Sequence, residues 1–566
     1  MKAPDASRTL DAWRNERAFP VLTPPQIQQL GAGGRRRAVT RGDVLLDVGD
    51  KTVPLFLVVS GELEILRPIG TSETTIVTLS PGQFSGEASL ITGRRSFSRI
   101  RVRESGEVIQ LDRDHVLSFV QANAELSEIL MRAFLLRRAA IIAVGYGDAV
   151  VIGSSHNAGT LRVKEFLSRN GHPFQYIDLD HDAEAQEFLD RFDIAADDIP
   201  VVLCGTNAVL RNPTNARVAE CLGFNETIDP AVVRDLVIVG AGPAVLAAAV
   251  YGASEGLKVL VIEADVPGGQ AGSSSRIENY LGFPTGISGL DLTNRAYAQA
   301  QKFGAEIMIA KRAARLACER QPYALDVGDD SHVSARTLMI ATGAQYRRPQ
   351  LDNLTQFEGV GVYYLATPME AQLCVGDDVI VVGGGNSAGQ AAVFLAQTAK
   401  RVHLLVRGED LAASMSKYLI RRVEDNAAII VRTQTEIVGL EGRGRLERVR
   451  WRDNRRGRTE TTDVEHVFVM TGAVPNTDWL NGCVALDDKG FVKTGPDLSV
   501  EDLTSFSWPL KRQPYLLETS RPGLFAVGDV RARNVKRVAS AVGEGSIAVS
   551  FIHKGASEIL SNDSQN

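Results

Sequence analysis

The sequence predicts an α/β protein in which two parallel-sheet units follow a β-rich roll and a smaller βαβ unit. Three observations carry this expectation. A buried-strand run, Asp235-Leu236-Val237-Ile238-Val239, leads directly into the turn Gly240-Ala241-Gly242-Pro243-Ala244 and an alanine-rich helix. The same pattern returns at Val379-Ile380-Val381-Val382, followed by Gly383-Gly384-Gly385-Asn386-Ser387-Ala388. Ahead of both, short β-rich runs alternate with glycine turns, the spacing of a small roll or barrel.

At 566 residues the chain is too long for one core, and length alone suggests about three or four domains. A hydrophobic content of 44% with 23% charged residues is that of a soluble globular protein. No apolar run reaches the length of a membrane span, and the polar start Met1-Lys2-Ala3-Pro4 lacks the apolar stretch of a secretory signal, so a cytoplasmic location is expected. The formal charge of −6 predicts no general affinity for nucleic acid. The basic clusters Arg35-Arg36-Arg37 and Arg455-Arg456-Gly457-Arg458 are read as solvated turns. Cys204, Cys221, Cys318, Cys374 and Cys483 contain no Cys-x-x-Cys pair and no metal-ligand spacing. Each is expected to be a small buried residue outside any structural disulfide.

In the N-terminal region, Asp43–Asp47, Leu55–Ile65 and Thr75–Leu79 read as strands, and a helix is expected from about His115 to Ala140. Phe56-Leu57-Val58-Val59-Ser60-Gly61-Glu62 and Pro81-Gly82-Gln83-Phe84-Ser85-Gly86-Glu87-Ala88-Ser89-Leu90 resemble the cyclic-nucleotide-binding domain family. The resemblance implies that Gly86 and Glu87 meet the phosphate and ribose of a cyclic nucleotide and that Arg94 or Arg95 pairs with the phosphate. A degenerate sensor or a dimerisation domain is the other reading. No basic recognition helix follows, so DNA is not an expected partner.

The next segment offers a strand at Asp148–Gly153, a helix at Gly159–Asn170 and a second strand at Phe174–Asp180. With the proline of Asp198-Ile199-Pro200-Val201-Val202-Leu203 at a strand start, this resembles a thioredoxin or glutaredoxin fold, which implies a cis proline facing the active-site turn. That turn is Ser154-Ser155-His156-Asn157, which holds no thiol, so a spacer or docking role is expected, with His156 a surface turn residue.

The two glycine turns carry the strongest chemical signal. In the first, Gly240, Gly242, Pro243 and Ala244 open a helix whose N-terminus suits a pyrophosphate. Lys258-Val259-Leu260-Val261-Ile262 ends in Glu263, an acceptor for ribose hydroxyls. Val245 occupies the third fingerprint position, where a smaller residue is usual, and weaker FAD retention is the expected consequence. In the second, Gly383, Gly385, Asn386, Ser387 and Ala388 form the turn, and the next strand ends in Arg407. A cation there suits a 2′-phosphate, so NADPH is favoured over NADH.

From about 232 to 560 the chain resembles the thioredoxin reductase family. The resemblance rests on Pro267-Gly268-Gly269-Gln270, Ile277-Glu278-Asn279-Tyr280-Leu281-Gly282-Phe283-Pro284, Ala341-Thr342-Gly343-Ala344 and Gly523-Leu524-Phe525-Ala526-Val527-Gly528-Asp529-Val530. It implies FAD and NADPH as cofactors, with Gly269, Gln270 and Asn279 approaching the flavin and Thr342 and Gly343 in the same site. It also implies Gly528 and Asp529 at the ribityl chain, and Val538 and Ala539, after Arg537, at the ring system. The family's redox dithiol would fall in Tyr364-Leu365-Ala366-Thr367-Pro368, where Leu365 and Pro368 replace both sulfurs. No catalytic dithiol is therefore expected. Cys374, the nearest thiol, is read as structural.

The resulting domain plan is a cyclic-nucleotide-binding-like β-roll (1–146), a thioredoxin-like domain (147–228), an FAD-binding domain in two parts (229–348 and 478–566) and an NADP-binding domain (349–477). Both FAD and NADP domains are of the Rossmann-like type. The expected activity is hydride transfer from NADPH to FAD with an undetermined electron acceptor. A non-catalytic nucleotide or redox sensor is the alternative, and a C2 homodimer is the expected assembly.

Overall fold

The computed structural model describes residues 17–563 except 52, 70–71, 87, 97, 145–148, 181–193, 205–207, 275, 329–330 and 481. The roll contains β1 (Arg35–Val39), β2 (Val44–Leu46), β3 (Leu55–Ile69), β4 (Ser72–Leu79) and β5 (Arg99–Leu111). Their order is β1-β5-β3-β4, with β2 also on β5. The Arg35–Arg37 cluster is thus not a turn but an edge strand: β1 is exposed at four of its five positions, and Arg36 pairs with Glu107 at 3.2 Å. A strand solvated on both faces carries no apolar alternation, which is why its sequence reads as a loop.

The helix expected over His115–Ala140 is two helices, Arg113–Ala122 and Ala124–Val144. Asn123 adopts an extended conformation between them, and its side-chain oxygen accepts from the Leu126 N–H at 3.0 Å, which caps the second helix. Leu126, Leu130, Ala133 and Phe134 then pack into the core of the roll.

The following module has β6 (Ala149–Gly153), β7 (Phe174–Asp178), β8 (Val201–Cys204) and β9 (Ala208–Arg211) in the order β7-β6-β8-β9. Strands β6 and β7 are parallel, joined by the helix Ala158–Arg169, whereas β8 and β9 run antiparallel. Asn157 caps that helix by accepting from the Thr160 N–H at 3.0 Å. The Ile199–Pro200 peptide before β8 is cis.

The first nucleotide sheet comprises β10 (Val233–Val239), β11 (Val259–Ile262), β12 (Glu306–Met308), β13 (Ala313–Ala317), β14 (Tyr323–Val327) and β15 (Ser331–Ile340). Its order is β12-β11-β10-β15-β14-β13, parallel from β12 to β15 and antiparallel beyond. Cys318, just past β13, is disulfide-bonded to Cys483, with Cα atoms 5.8 Å apart. This corrects the expectation of unpaired cysteines: 165 residues of chain separate the two, so their adjacency is a property of the packed domain, invisible to spacing.

β16 (Ala344–Tyr346) leads into the second sheet, built from β17 (Val362–Tyr363), β18 (Asp378–Val382), β19 (Arg401–Val406), β20 (Ile429–Thr433) and, after an antiparallel flap of β21 (Thr435–Glu441), β22 (Arg448–Asp453) and β23 (Arg458–Asp463), β24 (His466–Val469). Its order is β17-β24-β18-β19-β20, all parallel. β25 (Ala473–Pro475) returns antiparallel to β16, and β26 (Leu524–Ala526) joins the first sheet beside β15 before the helix Val538–Asp563. The β16–β25 pair is therefore the two-stranded connection between the nucleotide units.

The core of the first nucleotide sheet continues into the preceding module: Val151, Phe166 and Leu167 share one buried cluster with Leu236, Val245 and Ala248. The second sheet has its own core around Val379, Ala388, Val402 and Phe468. Among the described residues no helix is long and apolar enough to cross a membrane, and no cluster of side chains has the makings of a metal site.

Candidate functional site

The first cradle is built where β10 ends. Gly240 has φ +113°, and a Cβ there would lie 2.4 Å from the Ala341 carbonyl oxygen, so the turn admits only glycine. Gly242 precedes Pro243 at the first turn of the helix Pro243–Ser254, with no heavy atom within 4 Å of where its Cβ would be. That open space over the helix N-terminus is where a pyrophosphate would pass. Val245 is fully buried in the shared core. Glu263, just after β11, accepts the Asp265 N–H at 2.8 Å. Burial pushes its carboxyl up to about 7, against the downward pull of that N–H and of the Arg169 charge.

Distant segments converge on this turn. Gly269 lies against Gly242, Gly240 against Ala341 and Thr342, and Gly528 against Ala244. Gln270 Nε2 donates to the Ala344 carbonyl on β16. Thr342 Oγ1 donates to the Asn476 carbonyl at 2.7 Å, and Asn476 returns a bond to Thr342 O at 2.9 Å, which ties the floor of the site to the second connecting strand. Asp529 is raised above the usual carboxylate range by burial, with Lys536 opposing. Val538 and Ala539 stand at the start of the terminal helix, Ala539 exposed. Asn279 is also exposed, on the wall of a cavity of about 410 Å³ that Arg276 and Glu278 share with Tyr418 of the second unit. Glu278 reaches across this boundary to Arg422 at 2.5 Å.

The second cradle repeats the first. Gly383 has φ +146° and approaches the Met470 carbonyl so closely that a Cβ would be 2.3 Å from it. Gly385 precedes the helix Asn386–Leu395, Asn386 Oδ1 accepts from the Ser416 N–H at 2.8 Å, and Ala388 is fully buried beneath the turn. Arg407 follows β19 directly and is exposed. Tyr346, on β16, lies near Ser387 of the second cradle and within reach of the Asp529 charge of the first, and burial raises its phenol above its usual pKa. Sequence reasoning passed over Tyr346, although it lies three residues beyond Gly343.

The position of the expected dithiol holds a helix cap. Thr367 precedes the helix Pro368–Leu373, and its N–H and hydroxyl both donate to the Glu370 carboxylate, the N–H at 2.9 Å. Thr-Pro-Met-Glu is a capping-box sequence with proline at the first helical position, a signal that was readable in the chain. Pro368 thus takes the first position of that helix, and Leu365 stands in the segment that leads into it. Cys374 is fully buried, its thiol pushed up to about 12 chiefly by burial, and donates to the carbonyls of Glu370 and Ala371.

In the roll, Gly86 is in a left-handed conformation ahead of the short helix Ala88–Thr92. Glu87 lies outside the described residues. Arg94 is buried and turned toward the second module: Nη1 donates to the Asn170 carbonyl at 2.9 Å, and the guanidinium stacks 4.2 Å from the Phe224 ring centre. Arg95 lies beside Gly223. His156 is exposed in the Ser154–Asn157 turn, 3.2 Å from Asp180.

The family profile of pyridine nucleotide-disulphide oxidoreductases matches residues 234–545, and that of cyclic nucleotide-binding domains matches residues 36–123. A thioredoxin reductase of Mycolicibacterium smegmatis is 34% identical over 316 residues, covering 56% of this chain and 94% of the relative. The NADPH-dependent thioredoxin reductase 3 of Arabidopsis thaliana is 32% identical over 361 residues, 61% of this chain and 64% of the relative. Among solved structures, the Lactococcus lactis thioredoxin reductase in its FR conformation aligns over 57% of this chain and 99% of its own, with 25% identity and a TM-score of 0.51.

Proposed function

Because the chain belongs to the pyridine nucleotide-disulphide oxidoreductase family, we propose that it is an NADPH-oxidising flavoprotein that passes electrons to an acceptor other than a dithiol of its own. FAD and NADPH are the cofactors of the thioredoxin reductases it resembles, and when bound they supply hydride transfer. The chain's own residues bind and orient. The helix starting at Pro243 and Glu263 hold the pyrophosphate and ribose of the first nucleotide, and the Gly269–Gln270 loop, Asp529 and the start of the terminal helix take its ring end. The helix starting at Asn386 and Arg407 hold the second nucleotide, Arg407 favouring a 2′-phosphate. Tyr346 lines the junction.

The single observation that carries this reading is the contrast between two glycine-turn cradles at strand ends and a dithiol position occupied by a Thr367-capped helix. Disulfide exchange needs a thiolate, and the nearest thiol, Cys374, is buried with a raised pKa. Anaerobic NADPH is expected to bleach the bound flavin in one phase, and the Cys374→Ser variant is expected to do the same. A flavin that neither NADPH nor NADH reduces would rule the reading out and favour a non-catalytic sensor. Acceptor-dependent turnover with a quinone, ferricyanide and a disulfide panel then identifies the electron's exit.

For residues 149–224, the β7-β6-β8-β9 order with its parallel pair and crossover helix supports a thioredoxin-like assignment without a thiol turn. For the roll, the engagement of Arg94 by Asn170 and Phe224 favours a docking role over a phosphate-binding one.

A further inference from the structure

The helix Ala158–Arg169 belongs to the module whose Ser154–Asn157 turn holds no thiol, yet its last residue reaches the first nucleotide cradle. Arg169 Nη2 donates to the Gly269 carbonyl at 2.7 Å and lies 3.5 Å from the Pro267 carbonyl, while Nη1 pairs with Glu165 at 3.2 Å. Its Nε is buried without a hydrogen-bond partner, so the two Nη groups alone set its direction. Gly268 and Gly269 both have positive φ at the entry to the short helix Gly269–Gly272, where the Gly268 carbonyl accepts from the Gly272 N–H at 3.0 Å and the Gly269 carbonyl receives Arg169. The same module makes a second contact to this loop region, where Asn215 Nδ2 donates to Asp265 Oδ1 at 2.8 Å. Around these contacts the module and the cradle share one apolar core.

We propose that Arg169 is a positioning residue for flavin binding: it holds the Pro267–Gly269 turn in place, and so makes the second module a structural part of the flavin site. The inference rests on reading Gly269 and Gln270 as the loop that meets the flavin. The geometry favours a guanidinium specifically. Its planar fork meets a backbone carbonyl with one Nη while the other is fixed by Glu165, whereas an ammonium has no second, rigidly placed donor. The positive charge beside the cradle also lies within reach of Glu263, the ribose acid, so one side chain influences both ends of the loop.

The test uses the full chain and compares Arg169→Ala, Arg169→Lys and Lys164→Ala. Lys164 lies on the same helix but sets its ammonium 3.6 Å from the Tyr176 ring centre inside its own module. FAD content after purification, FAD affinity of the apoprotein and the visible spectrum of the bound flavin are measured. Arg169→Ala is expected to bind FAD about tenfold more weakly, the usual effect of losing a hydrogen bond to a charged group, and to shift the flavin band. Arg169→Lys should recover part of the affinity, and Lys164→Ala should keep the wild-type spectrum. Wild-type affinity and spectrum in Arg169→Ala would overturn the proposal, as would equal losses in Lys164→Ala, which would indicate general loosening of the module. If Arg169→Ala does not fold, Arg169→Lys decides: weaker FAD binding with a shifted band supports the proposal, and unchanged values overturn it. A wild-type chain that binds no FAD would instead refute the underlying reading of the cradle.

Discussion

The two nucleotide cradles solve the same local problem with the same geometry but are embedded differently. In each, a strand ends in a glycine of positive φ where a Cβ would clash with a neighbouring carbonyl, Ala341 for Gly240 and Met470 for Gly383; the first helix starts over open space at Gly242, whereas Ser414 and Ser416 bond to Gly384 and Asn386 at the start of the second. They part at the end of the second strand, where one has Glu263 and the other Arg407. They part again in their surroundings. The first cradle shares its core with the adjoining module and is gripped by Arg169 and Asn215, whereas the second rests on its own core and meets the rest through β16–β25 and the Glu278–Arg422 pair. On the proposed reading, local backbone geometry makes each dinucleotide site, the terminal charge bears on which dinucleotide enters, and the embedding decides what else depends on it.

The largest expected effect tests the embedding. Gly240→Ala and Gly383→Ala each force a Cβ against a carbonyl in a left-handed backbone, at a cost of about 2–5 kcal/mol. Gly240→Ala should purify without FAD and with a lowered melting temperature, because the strained turn belongs to a core that spans two modules. Gly383→Ala should purify yellow, yet be reduced by NADPH roughly a hundredfold more slowly. Loss of FAD from both variants alike would show that the cradles are not independent.

A smaller effect sharpens the difference in charge. Arg407→Ala should raise the KM for NADPH about tenfold, the scale of one charge-assisted contact, and leave that for NADH unchanged. An unaltered ratio of the two would place the 2′-phosphate on other residues.

The smallest effect concerns Glu263. In the cofactor-free chain its carboxyl is raised to about 7 by burial, so it is mostly protonated below that pH. Ribose hydroxyls donate best to a carboxylate, so binding FAD to the protonated form carries the cost of losing the proton. The sign follows: affinity for FAD should rise as pH climbs through about 7 and level off above it, with a slope of at most about tenfold per pH unit. Titrating apoprotein with FAD between pH 6 and 8 measures this, and Glu263→Gln should flatten the curve.

Much of the site was legible in the chain because its signals are local. Gly240, Gly242 and Glu263 sit on consecutive elements of one βαβ unit, as do Gly383, Gly385 and Arg407, and the strand–turn–helix pattern fixes their relation before any tertiary contact forms. The cap at Thr367–Glu370 was equally local, but the segment invited comparison with a dithiol, and its Thr-x-x-Glu spacing was passed over. Arg35–Arg37 misled for a different reason: an edge strand exposed on both faces leaves no periodic trace.

By itself the sequence determined the two cradles, the charge at the end of each and the absence of thiols at the dithiol position, since each depends on residue type at short spacing. Only the tertiary structure decided which distant groups meet. It joined Cys318 to Cys483, set Tyr346 against Ser387, turned Arg94 toward Asn170 and brought Arg169 onto Gly269. Such pairings span up to 165 residues of chain and arise from how packed layers stack to bury a common apolar core, which no local pattern encodes.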